Sequence, residues 1–226
     1  WDRLPEQAAN THPQVVAQMV KLCRDAGARR VRVLDRTCNQ AARCYRQSGI
    51  EAAAKAAGAE VRFVVDSFFR LTPIPGGKAL MEWPIYQEAL ESDVLINMPV
   101  AKTHSMSGVT LGMKNLMGLI GGNRGLIHEN FEEKIVDINL VIRPTLTLVD
   151  GWRVLLRNGP TGGSLNDVAE KRTMVASADI VAADAVAAGL LDFDPQKVPH
   201  LVRAHQRGLG EIRLEQMVIR QVDLEA

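Results

Sequence analysis

Lys102, Thr103 and His104 stand in three successive positions shortly after the apolar run Val94 to Met98, and Lys114 and Asn115 follow a little further on. A cation, a hydroxyl and an imidazole in a row can hold a negatively charged ligand and shuttle its protons. The natural assignment makes His104 an acid or base and lets Lys102 and Lys114 clamp the anion, as catalytic groups. Thr103, Asn115, Arg124 and Asp150 are then substrate-binding candidates. A solvated loop is the plainer alternative. Asp150, before Gly151, could orient a histidine, bind a metal or simply form a turn.

The second group with chemical potential is the stretch Asp35 to Tyr45, which carries Cys38 and Cys44. Arg36 and Arg43 lie close by, and Thr37 could cap a helix that begins here. A cysteine in the first turn of that helix would have its thiolate favoured by the positive helix end. In one continuous helix the two cysteines would be displaced about 9 Å along the axis. A disulfide needs Cα atoms within about 7 Å, so a bridge requires Cys38 to lie in the loop before the helix. A metal site is the other use of the pair, with His128 as a further candidate ligand. Zinc would accept two cysteines and two histidines, whereas an iron–sulfur cluster would need ligands from His104 or His128, or from a second subunit across a two-fold axis. A free or merely structural pair is the third reading. Cys23 sits on an apolar helix face as a small hydrophobe.

These residues need elements to carry them. Val15, Val16, Met19, Val20 and Cys23 recur on one face, which predicts a helix over Pro13 to Ala26, stopped by Gly27. A strand follows at Val31 to Leu34, a helix at Ala41 to Ala57 and a strand at Val61 to Val65. Residues 71 to 83 read as a connection, Pro84 to Leu90 as a helix, and Val94 to Met98 as a buried strand ended by Pro99. Met113, Leu116, Met117 and Ile120 share a helical stripe, with Asn115 pointing away. Later come a helix at Ile135 to Val141, a strand at Thr145 to Val149 with a turn at Asp150-Gly151, helices at Ile180 to Leu191 and Val198 to Gln206, and a last strand at Met217 to Val222. The alternation predicts an α/β fold, mostly parallel sheet between helices, in one domain over residues 1 to 226 or two lobes with a soft boundary near 157 to 164. If the sheet is parallel, Asp35 to Cys44, Lys102 to His104 and Asp150 gather at one rim, where open α/β sheets bind ligands.

Composition fits a compact unit: 226 residues, 46% hydrophobic, net charge +1. Near-neutral charge and 4% aromatics disfavour nucleic-acid binding. Apolar runs are too short for a membrane span. His12, His200 and His205 lie in polar stretches and read as surface residues. Asp184 falls in an apolar helix, where a carboxylate must be paired, solvated or functional. The glycines around Arg124 are too irregular for a dinucleotide or Walker motif. Nothing resembles a nucleophile elbow, a zinc-protease helix or a calcium loop. The chain starts at Trp1, which suggests a missing N-terminal segment.

Five motifs, Pro99 to His104, Lys114 to Gly118, Leu148 to Asp150, Gly159 to Gly163 and Ala178 to Ala187, together resemble domain-of-unknown-function family 362 of bacteria and archaea over nearly the whole chain. The resemblance implies an iron–sulfur association and a redox role, with a partner protein for electron transfer. It also implies a cytoplasmic protein or one exported by a twin-arginine route. The dense cysteine run of ferredoxin modules is absent here.

Two functions follow. In one, Cys38 and Cys44 hold an iron–sulfur cluster or metal while the Lys102–His104 rim binds an anionic small molecule, in a homodimer if the cluster is shared. In the other, a metal-independent enzyme acts on a carboxylated or phosphorylated substrate with His104 as acid or base. A non-catalytic binding protein with the same cationic pocket is a weaker third.

Overall fold

The computed structural model describes residues 1–223. Pro13–Asp25 forms α1, with Pro13 in the first turn and Val16 and Val20 buried one helical turn apart. The strand β1 (Arg32–Asp35) pairs in parallel with β2 (Glu60–Phe63). Between them the expected single helix is two, α2 (Ala41–Gln47) and α3 (Ile50–Ala56). The break falls at Gly49, whose φ of 73° lies in the left-handed region that glycine enters freely. Val16, Val20, Ala54 and Ala59 make a small core of their own for this lobe.

The expected connection at 71 to 83 and helix from Pro84 are instead an antiparallel hairpin, β3 (Phe69–Pro73) with β4 (Glu82–Tyr86), followed by the short α4 (Gln87–Glu91). Pro84 cannot donate to a ladder, but its carbonyl accepts from Gly121 N at 2.7 Å, and Ile85 bridges to Ile120. The hairpin thereby closes onto the motif-bearing segment.

Pro99 interrupts the next strand without ending it. β5 (Ile96–Asn97) and β6 (Val100–His104) both pair in parallel with β8 (Leu146–Leu155), and Asp150 N donates across the gap to Pro99 O at 2.8 Å. Lys102 to His104 are therefore strand residues, not a loop. β7 (Gly108–Thr110) turns back on β6, placing Thr110 opposite Lys102, and β9 (Val168–Ser177) runs antiparallel on the other side of β8. β9 carries charged residues at exposed positions, which hid it from a reading based on apolar runs. The turn-rich stretch 157 to 164 joins β8 to β9. Asp150-Gly151 lies inside β8, beside a register shift, and not in a turn.

The main core is built by helices packed on this sheet: α5 (Gly112–Asn115) running into a 3-10 turn at Leu116–Leu119, α6 (Phe131–Val141), α7 (Ile180–Ala188) and α8 (Pro199–Gln206). Met113, Leu116, Ile120, Ile135, Ile138 and Leu201 are fully enclosed in it. Burying each such side chain contributes roughly 1.5–3 kcal/mol. The α/β fold expected from the alternation is the one the chain adopts. The final expected strand is not formed: residues 217 to 222 make no ladder, and Val218 is 91% exposed. No helix among the described residues is long and apolar enough to cross a membrane.

Candidate functional site

A cleft of about 1330 Å³ separates the β1–β2 lobe from the main sheet. Alternation along β6 decides what enters it. Lys102 and His104 line the cleft, while Thr103 does not. The backbone of Thr103 instead abuts Gly159, where a Cβ would lie 1.9 Å from the Thr103 oxygen. Lys114, Asn115, Arg124, His128, Cys38 and Cys44 also line the cleft. The sequence expectation that widely separated segments meet at one site therefore holds for most of its members.

Asp150, like Thr103, is an exception. It is buried, and its two oxygens accept from His12 N at 2.8 Å and Trp152 N at 3.1 Å. The carboxylate ties the start of α1 to the sheet and is used up by doing so.

The two lysines are the unusual groups. Lys102 is buried, and its Nζ donates to Ala9 O at 2.6 Å. Burial pulls its pKa down to about 8, with Cys38 and Asp35 opposing. Lys114 is equally enclosed. Its Nζ lies 3.0 Å from His128 Nε2, 3.5 Å from Met117 Sδ and 4.5 Å from the centre of the Phe131 ring. Burial, then the charge of Lys102, lower its pKa to about 8 as well. Among the described residues neither ammonium has a carboxylate at ion-pairing distance. The contacts of Lys114 are a ring nitrogen, a sulfur and an aromatic face, with no oxygen at all.

His104 is fixed by its own backbone turn. Its Nδ1 accepts from Met106 N at 3.1 Å and Ser107 N at 3.4 Å, so the neutral ring carries its proton on Nε2. Burial and the neighbouring Lys114, His128 and Lys102 depress its pKa to about 3. The His104 and His128 rings stack with centroids 5.6 Å apart. The pKa of His128 is also lowered, by burial and by Lys114, against carbonyl contacts from Gly125 and Arg124.

Arg124 is partly spent on structure. Its guanidinium donates to Arg36 O at 2.7 Å and Thr37 O at 3.0 Å, and its Nη2 lies 3.9 Å from Cys38 Sγ. It thus pins the loop after β1 against the segment carrying Lys114. Asn115 donates to Asn97 Oδ1 at 2.8 Å.

The cysteines do not lie where a helix start would put them. Cys38 is exposed in the loop, Thr37 bonds Asn39 O instead of capping, and α2 begins only at Ala41. Cys44 is buried on α2, and both thiols are free. The donor set does not fit an iron–sulfur cluster or a zinc ion within one chain. Cys38 faces a guanidinium, His128 Nε2 is taken by Lys114, and among the described residues no three of His, Cys, Asp and Glu gather as a metal set.

Of three further residues, His200 is misjudged from sequence, Thr110 is missed, and Asp35 is named only as the start of a rim segment. His200 is not a surface residue: it is 1% exposed, edge-on to Phe131 at 5.3 Å, with its pKa lowered by burial to about 4. Asp35, at the carboxyl end of β1, is exposed and lines the cleft. Thr110 also lines the cleft, beside Lys102 across the hairpin. The strand-end rule already places Asp35 at the head of the segment after β1. Thr110 becomes visible only once the tight β6–β7 hairpin is known.

Asp184 meets the requirement for a partner. Its two oxygens accept from Gly112 N at 2.6 Å and Met113 N at 2.8 Å, which sets the start of α5 and hence the position of Lys114.

The fold and site define an α/β protein with a cation-walled cleft between a small lobe and a larger sheet. The chain belongs to domain-of-unknown-function family 362, which it matches over residues 1–189. It is also similar to a thylakoid-associated protein of Synechocystis sp., with 32% identity over 137 residues. That match takes in 57% of this chain and 42% of the relative, so the chain spans less than half the length of the curated relative it matches.

Proposed function

We propose that the cleft binds a small carboxylated or phosphorylated molecule, and that the protein acts on it without a resident metal. The observation that carries this reading is the pair of buried lysines, Lys102 and Lys114, which face the same cleft and lack an anionic partner among the described residues. A buried charge left unpaired costs several kcal/mol. A bound oxyanion would offset that cost, and charge-assisted hydrogen bonds would hold it.

His104 then has a different part from acid or base. With Nδ1 committed to two backbone N–H groups, its Nε2–H is a preset donor to the ligand's developing or resident negative charge. A ring whose pKa is near 3 stays neutral and keeps that proton at ordinary pH. Arg124 and the backbone it clamps close the outer side of the site.

Titration calorimetry with sulfate, then pyrophosphate, tests the reading. Wild-type protein should bind at least one of them, and Lys102→Met and Lys114→Met should each weaken binding by about tenfold or more, the loss of one charge-assisted contact. Absence of binding by folded wild-type protein, or binding indifferent to both substitutions, would sink it.

A further inference from the structure

Two polar groups in the cleft are left over by the anion site. Thr110 is 7% exposed, and its Oγ1 is buried with no hydrogen-bond partner among the described residues. It stands directly across the antiparallel ladder from Lys102, and residues so paired project from the same face. A buried hydroxyl without a partner is costly unless something else supplies one. Its place beside Lys102 makes it a donor to the same oxyanion.

Asp35 is the acceptor in a wall of donors. It ends β1, lines the cleft, and its carboxylate receives no hydrogen bond among the described residues, with Arg124 and Lys102 as cationic side chains of the same cleft. The side chain lies against Gly118, where a Cβ would fall 1.6 Å from Oδ1, so the absence of a side chain at 118 is what makes room for it. Lys102 and Asp35 line the same cleft, so one ligand seated in it meets both a cation and a carboxylate.

Resting on the anion-binding reading, we propose that the ligand is a hydroxylated oxyanion, its charged head held by Lys102 and Thr110 and a neighbouring hydroxyl donated to Asp35. A carboxylate beside donors rejects a second anionic group and selects a ligand that offers it a proton. Asp35 is thereby the specificity-determining residue of the cleft, and Thr110 a positioning contact for the head group.

The test compares sn-glycerol 3-phosphate with propyl phosphate, which carries the same head group without the hydroxyls, by calorimetry on the full chain. Wild-type protein should favour the hydroxylated ligand by about tenfold, the worth of one hydrogen bond to a charged group. Asp35→Ala should bring the two affinities to within about twofold, and sulfate, relieved of a neighbouring negative charge, should bind no more weakly than to wild type. Thr110→Val, nearly the same shape, should weaken both ligands about equally and preserve the preference. Equal affinity of the two ligands for wild-type protein, a preference that survives Asp35→Ala, or sulfate binding with no binding of either organic phosphate would overturn the proposal while leaving the anion site standing. Failure of all three ligands to bind would overturn both.

Discussion

Gly118 supports the Asp35 carboxylate so closely that a Cβ at position 118 would lie 1.6 Å from Oδ1. The backbone reinforces the contact, since Arg36 N donates to Gly118 O at 2.8 Å. The glycine of the Lys114–Gly118 motif is thus joined to the end of β1, and the motif's sequence reflects a contact between the two lobes. A Gly118→Ala substitution must move either Asp35 or the 3-10 turn. It is expected to abolish discrimination between hydroxylated and plain phosphates, as Asp35→Ala would, while also lowering stability by about 1–3 kcal/mol, the usual cost of overpacking. Denaturant unfolding together with ligand calorimetry checks both effects.

The lysines set a pH signature. Both have pKa values near 8, so each is cationic below that pH and neutral above it. Sulfate keeps its charge throughout, so its affinity should hold steady from about pH 6 to 7.5 and fall as pH rises through about 8. Stability of the ligand-free protein should move the other way. The folded pKa values lie below the ordinary lysine value of 10.5, so between about 8 and 10.5 the unfolded chain binds more protons and folding gains with rising pH. Saturating sulfate should flatten that gain, which thermal melts across the range would detect.

Among the described residues Lys114 has no oxygen acceptor to leave behind. Lys114→Met should therefore stabilise the ligand-free protein, by about 1–3 kcal/mol at pH 7, even as it weakens anion binding. A destabilised variant in urea unfolding would mean that the ammonium is a structural group. Lys102→Met is expected to gain less, because Ala9 O would lose its donor.

Asp184 should matter through position and not through contact with ligand. Asp184→Ala leaves the N–H groups of Gly112 and Met113 buried without acceptors and is expected to cost about 2–4 kcal/mol. Burial raises the pKa of Asp184 to about 7, above the ordinary 3.8. The folded state therefore holds this proton more tightly, and the associated stability is full below about 3.8 and lost as pH rises toward 7. The wild-type pH–stability curve should show that decline, and the Asp184→Ala curve should lack it.

Much of this site was legible before the fold. Apolar patterning found α1, β1 and α7, and strand-end logic brought the segments around Cys38 and Lys102 to one cleft, while wrongly adding Asp150 to them. What escaped was non-local. Pro99 looked like a strand end because it lacks an N–H, yet its carbonyl keeps the ladder with β8 running, and the residues after it alternate faces. That alternation is what removes Thr103 from the cleft. β3 and β4 carry Pro73 and Pro84, and β9 carries exposed charges, so the rules that favour apolar, proline-free strands passed over all three. Asp150 and Asp184 look alike in sequence as isolated carboxylates near apolar runs. Only the backbone N–H groups around them reveal that each is a fastener. His200 follows Pro199 in the first turn of α8 and faces Phe131 from the buried side of that helix, beside Leu201.

The most direct measurement is the anomalous difference map of crystals grown with selenate, an anion of sulfate's shape whose selenium can be located without assumption. A single strong site in the cleft within hydrogen-bonding distance of Lys102 and Lys114, lost in Lys102→Met crystals, is the expected result. Selenate bound only elsewhere on the molecule, with the cleft filled by solvent at saturating anion, would contradict the oxyanion site.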